Sequence, residues 1–531
     1  MSLILTREGR VQIARSMLRD IQNENDYYYF TIGRTEAWSD EELPDTPLDS
    51  PESLNEYRRR IMFVQRVTGA DVCHLVTRIN WVSGTVYDPY DDNYSASNPA
   101  YSEATTLADA NFYVLTDEFK LYKCIDNNNN AQSTVKPTTT STDTVTLADG
   151  YVWKFLLQVT SADQTKFLNS SYIPVRKLTG NPTFDVNGEV DSVSVVSGGS
   201  GYTTASVTIS GDGSGATATA TIVGDAVDSI NVTSEGSGYS FAIASINGDG
   251  TDATADVILG DADSLPALQS AVEAAASAVG GGIDRIVVTD VGQDYSEGDV
   301  EVVITGDGTG AEATATVSAN TGAITGITVT SPGTGYTFAD ITFTQAIGIG
   351  TGGTARAVIG PIDGHGANSV KELFANNLAL VSPLADPNNI DLIVDNDFRQ
   401  VGLIKNIQNF AEDANWTEST GSATFVIDVN DANDYAVDDV ITTDEGGSFR
   451  VSHLSDDNSG TFQVHLIPVI PSITASSVLT NVTQGLTPLS INSVTSPEIS
   501  NTTGDIFYIE NIVSITRQDN QVETIKVLIT F

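Results

Sequence analysis

The sequence predicts a mainly β chain, all-β apart from a few helices. It reads as several sandwich-like or barrel-like domains with an inserted array of Gly-rich β repeats. Two observations carry this. Short apolar runs alternate with polar residues at a period of two through most of the chain, punctuated by Gly, Pro, Asn and Asp. A unit ending in Gly-Tyr or Asp-Tyr then recurs four times between residues 190 and 336, where the composition turns to Gly, Ala, Thr, Ser, Val and Asp.

The expected organisation is a helix plus β domain over 1–179, a repeat insertion over 180–361, a middle β domain over 362–500 and C-terminal strands over 501–531 that return to the N-terminal domain. Residues 6–22 carry Val11, Ala14, Leu18 and Ile21 at helical spacing, with Thr6 as a candidate N-cap. DYYYFTIGRTEAWS at 26–39 alternates apolar residues on both faces, the pattern of a doubly buried strand ending near Gly33. Residues 57–67 hold Arg58, Arg59 and Arg60, the most basic spot in the chain; they read as a short helix whose basic face suits an acidic neighbour. Residues 72–82 alternate again with Trp81 inward. Residues 112–126 form a hairpin pattern around Asp117-Glu118, and 87–92 (YDPYDD) a turn-rich loop. In DGYVWKFLLQVTSADQTKFLNSSYIPV at 149–175, Tyr151, Trp153, Phe155 and Leu157 share one strand face, and the stretch predicts a core strand pair on which the domain is organised.

The repeats end at Tyr202, Tyr239, Tyr295 and Tyr336. Each is followed by a strand, a Gly turn (Gly211-Asp212-Gly213, Gly248-Asp249-Gly250, Gly306-Asp307-Gly308, then a looser 350–353) and an Ala/Thr strand. Each unit thus predicts three strands with one core tyrosine. The Gly-Asp-Gly turns raise calcium, but their spacing matches neither a nonapeptide β-roll nor an EF-hand loop. A phosphate cradle lacks a following Lys. A tight turn with positive φ explains them. Residues 264–281 interrupt the array with Leu265, Leu268, Ala271, Val272, Ala275 and Val279 at helical spacing. Beyond 363, a short helix is expected at 368–380, a strand from 395 to 404, further strands within 422–471, a polar arm over 472–500, and two terminal strands at 506–509 and 523–531.

The 531 residues include 25 basic and 69 acidic side chains, a net charge of −44. That argues against a nucleic-acid groove, which needs a local excess of Lys and Arg, and against an anionic membrane surface. Cys73 and Cys124 leave both a pair and two free thiols open; two cysteines in so long a chain suit a reducing compartment. No apolar run is long enough for a membrane helix and the short apolar start is no signal peptide, so a cytoplasmic or lysis-released protein is expected. His74, His365, His453 and His465 lie in no metal or hydrolase motif, and there is no GxSxG elbow or P-loop. Carboxylates are too abundant for any pair to stand out. The expectation is therefore no enzyme, no catalytic or cofactor-binding residue, no metal ligand and no cofactor.

The residues also carry a resemblance. FTIGRTEAWS (30–39), YDPY (87–90), LYKCID (121–126), DGYVWKFLLQV (149–159), SYIPV (171–175) and the terminal GDIFYIEN…ETIKVLITF follow one another in an order similar to the baseplate wedge subunit of T-even-like contractile-tailed phages, the gene-product-eight family. The match covers the first 178 or so residues and the last 28 or so. The resemblance implies a structural protein of the virion tail baseplate, assembled in the host cytoplasm, contacting itself as a homodimer and contacting other baseplate wedge subunits. The Gly-rich repeats depart from that pattern and read as a surface insertion. The rival expectation is a receptor-binding, adhesin-like tail protein whose repeats contact host glycans through exposed tyrosines, with a glycan-degrading enzyme as the weakest reading.

Overall fold

A computed structural model of the chain describes residues 5–22, 26–177, 190–211, 214–237, 242–259, 265–277, 280–345, 348–383, 398–456, 462–514 and 524–531. The architecture is mainly β, in several sheets, some curled into barrel-like forms. Two compact units emerge: Met1–Gln12, His74–Asn377 and Phe531 in one, Ile13–Cys73 and Leu378–Thr530 in the other. The stretch expected as one domain over 1–179 is therefore shared between them.

The reason lies in strand pairing. Tyr28–Gly33 is buried along its whole length and is central in a five-stranded sheet, flanked by Ile61–Val67 and Gln400–Lys405. Gln400–Lys405 pairs in turn with Asp505–Asn511, Gln400 opposite Asn511. The doubly apolar FTIG strand thus finds its second partner nearly 370 positions away. Tyr29, Tyr57, Ile61, Val64, Ile404, Ile407, Ala423 and Ile499 form the core beside this sheet. Of residues 57–67 only 57–59 are helical, and 61–67 form a strand. The helix is Pro51–Arg59, begun by Pro51 in the first turn and by the Ser50 side chain, which accepts from Ser53 N. Ile61–Val67 is a strand because IMFV is apolar on both faces and both faces are covered.

In the same unit a seven-stranded sheet runs in the order Leu486–Leu489, Leu479–Asn481, Val440–Thr443, Ser448–Asp456, Phe462–Ile470, Phe425–Val429, Ser493–Thr495. Phe425, Ile427, Phe449, Val451, Val464 and Leu466 fill its core. Residues 472–500 are consequently no arm. Their scattered apolar residues Leu479 and Ile499 are the inward positions of short strands, too short to show alternation in sequence, and Ile491 is buried between two of them. The helix expected over 368–380 shrinks to Ser369–Glu372, followed by the strand Asn377–Pro383, which pairs with Thr524–Thr530. The lead-in at 395–397 lies outside the described residues.

In the other unit, Tyr113–Leu115, Lys120–Asp126, Val152–Gln158 and Thr144–Thr146 make a four-stranded sheet in that order. The predicted pair within 149–175 does not form. Val152–Gln158 pairs with Lys120–Asp126 and Thr144–Thr146, whereas Tyr172–Val175 pairs with Val72–Thr77. Between them Ser161–Lys166 is helical, with Thr160 capping Asp163 N. The aromatic face survives intact: Tyr151, Trp153 and Phe155 are buried with Tyr87, Tyr122 and Cys124, and Tyr151 stacks on Trp153 at 5.5 Å. Trp81 is only half-buried at its edge.

The four repeat units each give three strands, and they combine in pairs. Residues 190–259 form one six-stranded sheet and 283–359 another. Each curls until its ends meet, the first with Ala242–Gly248 against Thr251–Leu259, the second with Ile283–Gln293 against Ile324–Thr334. Equivalent strands exchange across the pair: Ala205–Gly211 runs antiparallel to Ala242–Gly248 as Val300–Gly306 does to Ala339–Gln345. Tyr202, Tyr295 and Tyr336 are buried; Tyr239 lies outside the described residues.

The interrupting helix is Leu265–Ser277. Among the helix side chains described, Gln269, Val272, Glu273 and Ala276 are buried and Ala271 is exposed, so the inward side over 269–276 includes two polar residues beside the apolar ones. Polar bonds account for this: Gln269 Nε2 donates to Arg176 O at 2.7 Å and to Glu273 Oε1 at 3.2 Å, while Val272 enters the Trp153 core.

Candidate docking cleft and buried polar clamps

Two of the three Gly-Asp-Gly turns have a visible structural task; Asp212 and Gly213 of the first lie outside the described residues. Asp307 accepts from Thr337 N at 2.8 Å, Thr337 Oγ1 at 2.5 Å and Phe338 N at 3.2 Å. Asp249 does the same for Thr203 and Thr204. The Asp of one unit therefore caps the residues that follow the Tyr of its paired unit. The bonds from Thr337 hold the Asp307 carboxyl down to about 2, and those from Thr203 and Thr204 also lower Asp249. The positive φ expected at these turns is not found at Gly248, Gly250, Gly306 or Gly308; the second glycine is needed for space instead, since a Cβ at Gly308 would meet the Tyr336 ring at 2.3 Å and one at Gly250 the Tyr202 ring at 2.4 Å. Gly308→Ala is expected to destabilise the second barrel by about 1–3 kcal/mol through overpacking. Asp307→Ala should lower its melting point too. Because the folded carboxyl is depressed, that contribution is present above the ordinary carboxylate range and is lost as pH falls towards about 2. Thermal melts of the full chain at pH 7 and pH 2.5 check both; an unshifted melt for G308A would contradict the packing argument.

The four histidines are built into the packing. His74 Nδ1 is 2.9 Å from Ala375 O. His453 and His465 stack at 3.7 Å, and burial pushes His465 down to about 4, so it is neutral near pH 7. His365 Nε2 meets Asp284 Oδ2 at 2.7 Å and lies edge-on to Tyr90. Cys73 and Cys124 are buried free thiols, and burial raises the Cys124 pKa well above its usual value. Among the described residues no group of three or more His, Cys, Asp or Glu side chains could hold a metal ion.

Charged side chains sequence reading passed over fasten the second barrel to the Trp153 domain. Asp91, nearly fully buried, takes a two-pronged bond from Arg356 (2.9 and 2.5 Å) and a third from Arg285 at 3.2 Å. Asp92 accepts from Ile359 N at 3.3 Å. Deeper still, Lys123 pairs with Glu372, and Glu372 also accepts from Gly366 N and Asn368 N. Lys123 lies 4.9 Å over the Tyr90 ring. The turn-like YDPYDD loop is therefore the ionic seat of the barrel.

The unit of Ile13–Cys73 and Leu378–Thr530 contains a different feature. A cleft of about 330 Å³ opens between the 38–48 loop, the Pro51–Arg59 helix and the end of Asp505–Asn511. A second cleft of about 180 Å³ adjoins it, sharing Arg34, Glu56 and Arg60. Arg34 follows the Tyr28–Gly33 strand with φ of +61°, a left-handed backbone costly for a long side chain. Its guanidinium lies 3.6 Å over the Trp38 ring and donates from Nε to Glu36 O. Among the described residues nothing accepts from its two terminal nitrogens. Burial, and then the neighbouring Arg60 charge, lower its pKa. Arg60 is engaged by Glu36 and Glu56, and Arg450 by Glu36. Gln400 is 93% buried, the complement of its 7% exposure; it donates to Asn511 Oδ1 at 2.8 Å, and its Oε1 has no hydrogen-bond partner. Of the basic run at 58–60, Arg59 and Arg60 line these clefts, whereas Arg58 donates to Gly504 O at 2.9 Å. Arg34 and Gln400 gave no signal of their own.

Comparison of the sequence with protein-family models and with curated proteins gives no match. No described helix is long and apolar enough to cross a membrane.

Proposed function

We propose that this chain is a structural, non-enzymatic subunit of a contractile phage tail baseplate, of the wedge type its sequence resembles. It holds neighbouring wedge subunits and a second copy of itself, and moves with them by rigid-body rearrangement during contraction. One observation supports this reading above the others. The segments that carry the resemblance are short and widely spaced, yet within each of the two units they pair with one another or share a sheet. FTIG at 30–33 and DIFYIEN at 505–511 share one sheet through Gln400–Lys405. LYKCID and YVWKF pair directly, with Tyr87 of YDPY edge-on to Trp153. The ionic clamps and the near-continuous burial of the central strands suit a part that transmits force without deforming.

The adhesin reading needed exposed repeat tyrosines, and burial of Tyr202, Tyr295 and Tyr336 removes three of the four. Immunogold electron microscopy of virions is the test. Antibody to the chain is expected to label the baseplate in resting and contracted tails. Label confined to head, sheath or fibre tips would overturn the proposal.

A further inference from the structure

We propose that the paired cleft seats an extended acidic peptide segment of a neighbouring subunit, a carboxylate resting on Arg34 and a backbone N–H on Gln400 Oε1. The inference rests on the reading of this chain as an assembly subunit. Charge comes first. The chain has 69 acidic residues against 25 basic ones, yet the smaller cleft is lined by Arg34, Arg59, Arg60 and Arg450 against Glu36 and Glu56. An acidic segment repelled by the rest of the surface is attracted here. The Arg34 guanidinium is flat, fixed on Trp38, and keeps two donors in the fork that a carboxylate matches. Its placement costs a left-handed backbone, the kind of strain found at ligand clamps.

The second observation is independent. A buried acceptor without a donor is costly. Gln400 Oε1 is such an acceptor, and Gln400 is among the residues that line the larger cleft. A free carboxylate could not satisfy it, because it needs an N–H or O–H donor. A peptide offers both a carboxylate and a backbone N–H. Its apolar side chains have surfaces to meet at each end, half-exposed Val469 at one and Leu48 at the other, 47% and 66% exposed. Asp505–Asn511, the last strand of its sheet, brings Ile509 and Asn511 to the wall, as in strand-wise peptide recognition.

The test is selection of a random decapeptide phage-display library on the immobilised full-length chain, in parallel with Arg34→Asn and Arg59→Gln variants. Asn tolerates the left-handed backbone at position 34, so R34N removes the charge without adding backbone strain; matching melts confirm that the fold is kept. Selected peptides should carry at least two acidic residues among apolar ones. Their affinity should fall at least tenfold on R34N and about threefold on R59Q, and weaken as NaCl rises from 50 to 500 mM. Selection of peptides with no acidic enrichment, equal binding to R34N, or no selected peptide would overturn the cleft proposal. Baseplate labelling would still stand in that case, so the two failures are distinguishable.

Discussion

Glu372→Gln is expected to destabilise the His74–Asn377 unit by about 3–5 kcal/mol, because it leaves the Lys123 ammonium buried and unpaired. Lys123 has no exposed side-chain surface and Glu372 only 5%. A buried pair is weak evidence for net stability, yet breaking one is costly, since the remaining charge keeps its desolvation penalty and loses its compensation. Lys154 sharpens the effect. It is itself buried, bonded to Thr142 O, and burial lowers its pKa, so the Glu372 charge offsets two neighbouring cations. The double variant Lys123→Met with Glu372→Leu should recover much of the loss. Burial, the largest single influence, would raise the Glu372 carboxyl, but the Lys123 charge, the nearby His365 and the hydrogen bonds from Lys123 and Asn368 N together outweigh it and lower the folded pKa. Its contribution is therefore present above the unfolded carboxylate pKa and disappears as pH falls through the folded value. Urea unfolding of the full chain, followed by circular dichroism at pH 7 and at pH 3, measures this. A loss below 1 kcal/mol for E372Q at pH 7 would show that the pair does not bear on the fold.

Trp153→Ala should cost a similar amount, about 3–5 kcal/mol. The indole is fully buried between Tyr151 and Tyr87, with Phe155 beside it and Val272 of the interrupting helix against the same cluster. Removing it opens a cavity that β-sheet neighbours cannot collapse into without breaking ladder bonds. The loss should therefore spread to the Leu265–Ser277 helix. Trp153→Phe keeps the aromatic contacts and should cost clearly less. Hydrogen exchange reports the spread: faster exchange is expected in both Val152–Gln158 and Leu265–Ser277 of W153A. Acceleration confined to the strand would mean the helix is held by its polar bonds to Arg176 alone.

Periodicity was a reliable guide wherever the stabilising contact is local. The helix Arg7–Gln22, the hairpin of Tyr113–Leu115 with Lys120–Asp126, the doubly buried Tyr28–Gly33 strand and the three-strand repeat units all follow from spacing alone, because side-chain direction along a helix or strand is a property of the backbone. Partner choice is not local. The 149–175 strands looked like a pair because they are neighbours in sequence, yet Val152–Gln158 and Tyr172–Val175 found better-matched partners elsewhere. The 472–500 strands were invisible because two or three residues show no period. The Gly-Asp-Gly turns were recognised as turns, but not as caps on the tyrosine turn of the paired unit.

By itself, then, the sequence determined the β-rich class, the repeat number, the inward aromatics and the acidic character of the chain. Tertiary structure alone decided which strands pair, how the repeats close two by two, that Asp91 and Glu372 become buried clamps, and that Arg34 and Gln400 line one cleft. The first set depends on each residue's own chemistry and its near neighbours. The second depends on desolvation and on hydrogen bonds between residues hundreds of positions apart, and those exist only once the chain has folded.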